Sequence, residues 1–196
     1  MTETLRTLTG LPTTPAALSE SALVLIDCQN TYTRGIMELE GVQDALRDTA
    51  VLLDRARSAG IPVIHIQHNA GPGSPYDIDG ESGAIVDAVA PRGAEPVVVK
   101  AYPNSFVQTE LNDILQKQGA TNLILAGFMT HMCVNSTARG AFNLGYAPTV
   151  VASATATRAL PGTQGTVSAA AVQAASLAAV ADLFAVVVES PSAIPD

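Results

Sequence analysis

The feature that most constrains the fold is an alternation of short apolar runs with segments of helical period. Four amphipathic segments separate the runs, at residues 42–59, 109–117, 133–144 and 166–183, and the first three end at a glycine, a common helix C-cap. The six runs lie at residues 22–27, 62–67, 96–100, 121–127, 148–152 and 184–188. Alternating strands and helices predict a parallel sheet covered on both faces. We therefore expect an α/β fold with three layers, a doubly wound, six-stranded and mostly parallel sheet.

The chain length and the distribution of its residues predict one domain. A chain of 196 residues can bury one full core. We assign residues 21–190 to a single domain, residues 1–20, rich in Thr and Pro, to an N-terminal arm, and residues 191–196 to a C-terminal tail. The segment 69–76 is a long loop, and such loops in compact domains are often lids or binding loops.

Charge and cysteine content restrict the partners and the compartment. A formal net charge of −8 and a pI near 4.7 argue against nucleic acids and anionic membranes as partners. Two cysteines do not make a disulfide framework, which fits a reducing compartment. The sequence shows neither a membrane-span pattern nor a signal-peptide pattern, so we predict a cytoplasmic protein.

Three side chains that could take part in catalysis lie where predicted strands end. Asp27 closes the first run, Lys100 closes the third, and Cys133 follows the fourth in the first turn of a predicted helix. A helix start favours the thiolate form of a cysteine and can hold an oxyanion. Taken singly, Asp27 could cap a turn, Lys100 could be a solvated strand end, and Cys133 could be a small core residue. Because ligands of open α/β sheets bind at the carboxyl ends of strands, the three together predict a nucleophile site.

Three sequence blocks carry a resemblance to a known family. They are Leu25-Ile26-Asp27-Cys28-Gln29-Asn30, Lys100-Ala101-Tyr102-Pro103-Asn104-Ser105-Phe106 and Gly127-Phe128-Met129-Thr130-His131-Met132-Cys133-Val134, with Ser136-Thr137-Ala138-Arg139 continuing the third. In this order and spacing they resemble the isochorismatase-like cysteine hydrolases, a superfamily that includes nicotinamidases and N-carbamoylsarcosine amidohydrolase. The resemblance runs from about Ser21 to Glu189.

The resemblance implies a catalytic apparatus. Asp27, Lys100 and Cys133 would form the catalytic triad, and the N–H groups of Met129 and Cys133 would form the oxyanion hole. A cis peptide bond without proline would precede Met129. We also expect a homo-oligomer, either a dimer or a tetramer.

The chain departs from the nicotinamidases at their metal site. The loop after the first strand, residues 30–37, contains no histidine, so we expect neither a metal nor another cofactor. We interpret His65 and His68 as hydrogen-bonded structural residues, although one of them could face the cleft. Cys28 points away from Asp27 along the strand, which favours a structural role.

Five further side chains are candidates for contact with substrate. Gln29 points the same way as Asp27 and could orient it or a bound water. Tyr32, Tyr102 and Phe106 are candidate pocket walls, and His131 could touch substrate or a neighbouring subunit.

These residues predict a metal-independent cysteine hydrolase that cleaves a C–N bond of a small amide through a thioester on Cys133. A vinyl ether hydrolase of the isochorismatase type is the alternative within the family. A non-catalytic or nucleotide-binding domain is the alternative outside it, but the loop after Asp27 is not glycine-rich. Ring amides, carbamoyl compounds and lactams such as that of streptothricin stay open as substrates. The acidic residues Asp77, Asp79 and Glu81 hint weakly at a cationic substrate, although a solvated acidic loop is the favoured account.

Overall fold

The predicted α/β fold is confirmed. Residues 3–196, the part that the computed structural model describes, contain eight strands and five α-helices. The strands are β1 (Ser21–Ile26), β2 (Val63–His68), β3 (Val97–Lys100), β4 (Asn122–Phe128), β5 (Ala147–Ala156), β6 (Leu160–Gly162), β7 (Gly165–Val167) and β8 (Val186–Val188). The helices are α1 (Leu5–Leu8), α2 (Val42–Ala59), α3 (Leu111–Lys117), α4 (Asn135–Asn143) and α5 (Ala169–Ala181).

Six strands form one sheet in the order β3-β2-β1-β4-β5-β8, and every neighbouring pair is parallel. The remaining two, β6 and β7, pair as a separate antiparallel hairpin. Successive side chains of a strand point to opposite faces, so the sheet supports two apolar clusters. One contains side chains of α2, and the other contains side chains of α3, α4 and α5. Cys28 lies in the first cluster and Cys133 in the second, so the two thiols occupy opposite faces.

Five of the eight predicted helix ends differ from the structure, by one to three residues. The helix over 42–59 ends at Gly60 in the left-handed conformation, as its sequence predicts. The start of the last helix at residue 166 is wrong, because Gly165–Val167 is the second strand of the hairpin. There α5 begins only after Ser168, whose side chain accepts a hydrogen bond from the Ala171 N–H. The segment Thr130–Val134 forms a π-helical turn ahead of α4, so Cys133 lies in that turn.

Both chain ends contact the domain. Arg6 is buried, its Nη1 donates to the carbonyl of Leu183 at 2.8 Å, and its N–H donates to the carbonyl of Asp182 at 2.7 Å. In the tail, the Ile194 carbonyl accepts from Nη2 of Arg55 at 2.8 Å. Met1 and Thr2, which belong to the predicted arm, lie outside the described residues. The assigned domain boundaries stay a prediction.

No helix within residues 3–196 is both long and apolar enough to cross a lipid bilayer. The cytoplasmic location stays a prediction.

Gly127 allows β4 to approach β1 closely beside the strand ends. It has a φ of +114°, and a Cβ placed on it would lie 2.0 Å from the carbonyl oxygen of Ile26. This distance is far below van der Waals contact, and the obstacle is backbone that cannot rotate away. A side chain at this position is therefore incompatible with the pairing of β1 and β4.

We expect Gly127→Ala to lower the free energy of unfolding by at least ~3 kcal/mol, because backbone strain and a backbone clash act together. The matched control is Gly119→Ala. Gly119 also has a positive φ, +65°, but a Cβ placed on it would meet nothing within 4 Å. The control should cost only ~1–2 kcal/mol, the strain of the left-handed conformation alone. Urea denaturation of both variants measures the difference, and equal losses would contradict the close approach.

Candidate active site

The predicted triad residues lie together at the carboxyl ends of three strands. Asp27 follows β1, Lys100 is the last residue of β3, and Cys133 lies in the turn after β4. Nζ of Lys100 is 2.7 Å from Oδ2 of Asp27 and 3.4 Å from Sγ of Cys133. Because β2 and β1 lie between β3 and β4, the long lysine side chain is what brings its charge to the thiol.

Burial controls the charges of this group. Asp27, Lys100 and Cys133 are 0%, 2% and 5% exposed. Burial raises the pKa of Asp27, and the charge of Lys100 opposes that rise. Burial and then the charge of Asp27 raise the pKa of Cys133 to about 12, again opposed by Lys100. Burial therefore opposes the thiolate form that the start of a helix is expected to favour, and Lys100 is the group that supports this form.

His68 is a third partner of the lysine. Its Nδ1 lies 3.3 Å from Nζ of Lys100, and burial together with the lysine charge lowers the pKa of His68 to about 4. The imidazole is therefore neutral, and its Nδ1 accepts a hydrogen bond from the ammonium. An ammonium has three N–H groups, and here a carboxylate, a sulfur and an imidazole surround it.

His65 has the structural role that its sequence suggested. Its Nε2 lies 2.9 Å from Oε2 of Glu95, and Glu95 also accepts from Arg57 at 2.7 and 2.8 Å. Burial lowers the pKa of His65. The sequence left open which of the two histidines in β2 could face the cleft, and His68 is the one that contacts the triad.

Gln29 holds the strand end that carries His68. Its Nε2 donates to the carbonyls of His68 at 2.9 Å and Gly83 at 2.7 Å, and its Oε1 accepts from the His68 N–H at 2.9 Å. Both side-chain N–H groups are thus bound to backbone. Gln29 joins the end of β2 to the loop over residues 69–86 and so fixes His68.

Aromatic rings surround the same space. The buried Tyr32 packs edge-on against Phe128 and Tyr76, each at 5.8 Å between ring centroids, and Tyr76 packs edge-on against His68 at 5.0 Å. Burial raises the pKa of both tyrosines, and the charges of Asp27 and Cys133 add to that rise. Tyr76, which sequence reasoning missed as a site residue, lies at the end of the long loop over residues 69–76.

The other predicted substrate contacts have varied surroundings. Tyr102 is 45% exposed, and Phe106 stacks on Tyr146 with centroids 5.8 Å apart. Nδ1 of His131 lies 2.6 Å from Oγ1 of Thr157, and burial lowers the pKa of His131. Contact of these side chains with substrate stays a prediction.

Hydrogen bonds join the segment after Lys100 to α4, the helix that follows Cys133. The hydroxyl oxygens of Ser105 and Thr137 are 2.8 Å apart, and the Ser105 N–H donates to the same threonine oxygen at 3.1 Å. Beside them, Gly140 leaves room for Asn104, since a Cβ there would lie 2.5 Å from the amide nitrogen of Asn104. These contacts join the second sequence block to the helix that continues the third.

The peptide bond between Phe128 and Met129 is cis. The Met129 N–H belongs to this peptide bond, and the Cys133 N–H belongs to the π-helical turn that follows it. The model of the isochorismatase domain family matches residues 21–192. The chain belongs to the isochorismatase family.

Relatives and solved structures cover almost the whole of this isochorismatase-family chain. An isochorismatase from Pseudomonas putida has a crystal structure with 38% identity and a TM-score of 0.95, covering 98% of this chain and 99% of that one. The secreted isochorismatase effector Isc1 of Verticillium dahliae is 34% identical over 94% of this chain and 96% of its own length.

Two further relatives of this isochorismatase-family chain have names that state an activity. The ureidoacrylate amidohydrolase RutB of Azorhizobium caulinodans is 30% identical over 69% of this chain and 78% of its own length. A streptothricin hydrolase of Streptomyces noursei is 33% identical over 79% of this chain and 61% of its own length. The chain is therefore an enzyme of this hydrolase family.

Within residues 3–196 of this hydrolase, no three side chains of His, Cys, Asp or Glu converge in a way that could hold a metal ion. His65, His68 and His131 instead have the protein partners described above.

We expect His68→Leu to lower the free energy of unfolding by ~1–3 kcal/mol, because it removes an acceptor from a buried charge. The control is His68→Asn, which offers a carbonyl oxygen to the ammonium and should lose less. Urea denaturation at pH 7 compares the two variants. Equal stability of the leucine variant and the unaltered protein would show that His68 gives Lys100 no support.

Proposed function

We propose that this protein is a metal-independent cysteine hydrolase that cleaves a C–N bond of a small molecule, in an amide, carbamoyl or lactam group, through a thioester on Cys133. The observation that carries the proposal is the thiol 3.4 Å from a buried ammonium that is itself 2.7 Å from a buried carboxylate. Relatives named amidohydrolase and streptothricin hydrolase support the C–N bond as the target.

The first half-reaction forms the thioester. The resting thiol needs a base, because its pKa is raised to about 12. Asp27, whose pKa burial raises, accepts the thiol proton as the sulfur attacks the carbonyl carbon. Lys100 stabilises the negative charge that develops on the sulfur. Asp27 then donates the proton to the amine, and the C–N bond breaks.

The second half-reaction clears the thioester. Asp27, again ionised, removes a proton from a water molecule that attacks the thioester carbonyl. The C–S bond breaks, the sulfur regains the proton, and the carboxylic acid leaves. In both steps we assign stabilisation of the oxyanion to the N–H groups of Met129 and Cys133.

Hydrolysis of a panel of small amides tests the proposal. The panel contains ring amides, carbamoyl compounds and lactams, with release of ammonia or amine as the readout. We expect at least one class to be hydrolysed by the unaltered protein and not by Cys133→Ala. Equal hydrolysis by both proteins would contradict the mechanism.

An isochorismatase-type vinyl ether hydrolase is the second candidate, because a relative at 34% identity is named an isochorismatase effector. A vinyl ether substrate therefore belongs in the same panel. Its hydrolysis by both the unaltered protein and Cys133→Ala would favour this candidate, because this reaction needs no thiol nucleophile.

We expect dialysis against a strong chelator to leave the hydrolysis rate unchanged. Two of the three histidines pair with protein side chains, Glu95 for His65 and Thr157 for His131, and His68 faces a lysine. The measurement is the hydrolysis rate before and after dialysis, with addition of Zn²⁺ or Mn²⁺ to the dialysed protein. Activity that disappears and returns with one equivalent of metal would contradict the metal-independent mechanism.

The proposal also includes the assembly of the protein and its partners. We infer a homo-oligomer, a dimer or a tetramer, that acts on a small-molecule amide without nucleic-acid or membrane partners. Light scattering coupled to size-exclusion chromatography measures the assembly, and a monomer would contradict it.

A further inference from the structure

His131 connects the turn that carries Cys133 to the end of β5. Within residues 3–196, the side chains of the turn Thr130–Val134 make two hydrogen-bonding contacts with other elements, Cys133 with Lys100 at 3.4 Å and His131 with Thr157 at 2.6 Å. The hydroxyl of Thr130 is buried without a partner. Because the sulfur of Cys133 is the reacting atom, His131 provides the polar anchor of the turn.

The turn is short and has an uncommon geometry. It is a single π-helical turn, in which the carbonyl of Met129 accepts the N–H groups of Met132 at 3.0 Å and Val134 at 3.2 Å. Single turns of this kind are frequent at functional sites. The two N–H groups that we assign to the oxyanion belong to Met129 and Cys133, which lie two residues before and two residues after His131. An anchor at His131 therefore acts on the backbone between these two donors.

Thr157 is a fixed support for this anchor. It is 2% exposed, and its carbonyl accepts the N–H of Glu40 at 3.0 Å. It directly follows Ala156, the residue of β5 that pairs with Phe128 of β4. The segments 128–131 and 156–157 thus form a closed ring, with the strand pair at one end and the hydrogen bond between His131 and Thr157 at the other. Met129 lies inside that ring.

We propose that His131 and Thr157 are positioning residues, whose hydrogen bond holds the turn so that the N–H groups of Met129 and Cys133 face the oxygen of the acyl group under attack. Donors to an oxyanion stabilise it most when they are in place before the charge develops. Neither side chain needs to touch the substrate in this role. The inference rests on the proposed function, because it concerns the oxyanion of the same reaction.

Two reagents that react with the same thiol separate this role from the reactivity of the sulfur. With p-nitrophenyl acetate the sulfur attacks the ester carbonyl and an oxyanion forms. A C–S bond then replaces the C–O bond, p-nitrophenolate leaves, and Asp27 takes the thiol proton. With iodoacetamide the sulfur displaces iodide from carbon, and no oxyanion forms. The ratio of acetylation to alkylation rates at Cys133, measured by mass spectrometry, therefore cancels changes in the reactivity of the thiol.

We expect this ratio to fall about tenfold or more in Thr157→Val and in His131→Phe, since misplaced oxyanion donors cost a rate on this scale. Each variant removes one end of the hydrogen bond and keeps the size of the side chain similar. Thr157→Ser keeps the hydroxyl and should keep most of the ratio. An unchanged ratio in either Thr157→Val or His131→Phe would overturn the proposal.

Thr155→Val is the matched control, because it removes another buried hydroxyl from the same strand end. Oγ1 of Thr155 donates to the carbonyl of Ala152 at 2.8 Å and accepts from Nε2 of Gln173 at 2.9 Å, so it has no part in the turn. This variant should keep the ratio of the unaltered protein even where it loses stability in urea. A fall equal to that of Thr157→Val would show a general effect of lost stability and would overturn the positioning role.

The double variant His131→Phe/Thr157→Val tests whether the two side chains act through one bond. Partners in a single hydrogen bond give non-additive losses, so the double variant should lose no more than the larger single loss. A loss equal to the product of the two single losses would overturn the shared role.

These ratios do not depend on amide hydrolysis. If the ratio falls in Thr157→Val and the unaltered protein hydrolyses no amide of the panel, the positioning role stands and the proposed function fails. With an amide that is hydrolysed, Thr157→Val should lower kcat about tenfold or more and change KM little, because the oxyanion forms only after binding. A raised KM with an unchanged kcat would instead show that the pair serves substrate binding, and would overturn the proposal.

Discussion

Cys133→Ala should abolish amide hydrolysis, by at least ~10³-fold, while leaving the protein folded. Without the sulfur there is no nucleophile to form the thioester, and what remains is the modest help of binding and oxyanion contacts. The fold should persist because the buried lysine keeps Asp27 at 2.7 Å and His68 at 3.3 Å. Amine release measures the activity, and circular dichroism with urea denaturation measures the fold.

Cys28→Ala is the matched control, since it removes the other thiol. Cys28 is buried in the opposite apolar cluster, and burial with the charge of Asp27 raises its pKa. This variant should keep its activity, and iodoacetamide should label Cys133 before Cys28 in the unaltered protein. Preferential labelling of Cys28, or an active Cys133→Ala enzyme, would remove Cys133 from the role of nucleophile.

Asp27→Asn should lose at least ~10²-fold in turnover, the usual scale of general acid–base help. The same substitution should make the thiol of Cys133 more reactive. The negative charge of Asp27 raises the pKa of Cys133, so a neutral amide lowers that pKa and makes more thiolate at neutral pH. Iodoacetamide labelling should therefore become faster while hydrolysis becomes slower.

Lys100→Met should make the thiol of Cys133 less reactive. The lysine charge lowers the pKa of Cys133, so its loss raises that pKa and slows labelling near neutral pH. The pH dependence of labelling in the unaltered protein and in both variants measures the two shifts. Slower labelling in Asp27→Asn would show that Asp27 deprotonates the free thiol, and an unchanged profile in Lys100→Met would exclude Lys100 from the site.

The strand ends could be predicted from the sequence because they follow from periodicity and topology. The apolar runs before Asp27 and Lys100, and the run before the turn of Cys133, identify strands of a parallel sheet. Such strands end at one edge of the sheet. The three side chains therefore converge whatever conformation the loops adopt.

The contact between His68 and Lys100 could not be predicted in this way. His65 and His68 are three apart in one strand, so they point to opposite faces. Periodicity does not tell which of them meets the long side chain of Lys100. That contact depends on the register of β2 and β3, in which His68 lies beside Lys100.

Tyr76 lies outside regular structure, where no period applies. Tyr76 is placed by a loop so tight that a Cβ on Gly83 would lie 2.1 Å from the carbonyl oxygen of Asp77. The sequence predicts the last helix from residue 166. In the structure the first of these residues belong to the hairpin, and α5 begins only after its N-cap, Ser168. The raised pKa of the thiol depends on burial, which only the packed structure determines.

The thioester on Cys133 is the central claim, and its trapping is the most direct test. With an amide found in the panel, the reaction is stopped by acid during turnover, and the protein is digested and analysed by mass spectrometry. We predict the mass of the acyl group on the peptide that contains Cys133, and no such mass in Cys133→Ala. An acyl group on another residue, or amine release by Cys133→Ala at the rate of the unaltered protein, would contradict the mechanism.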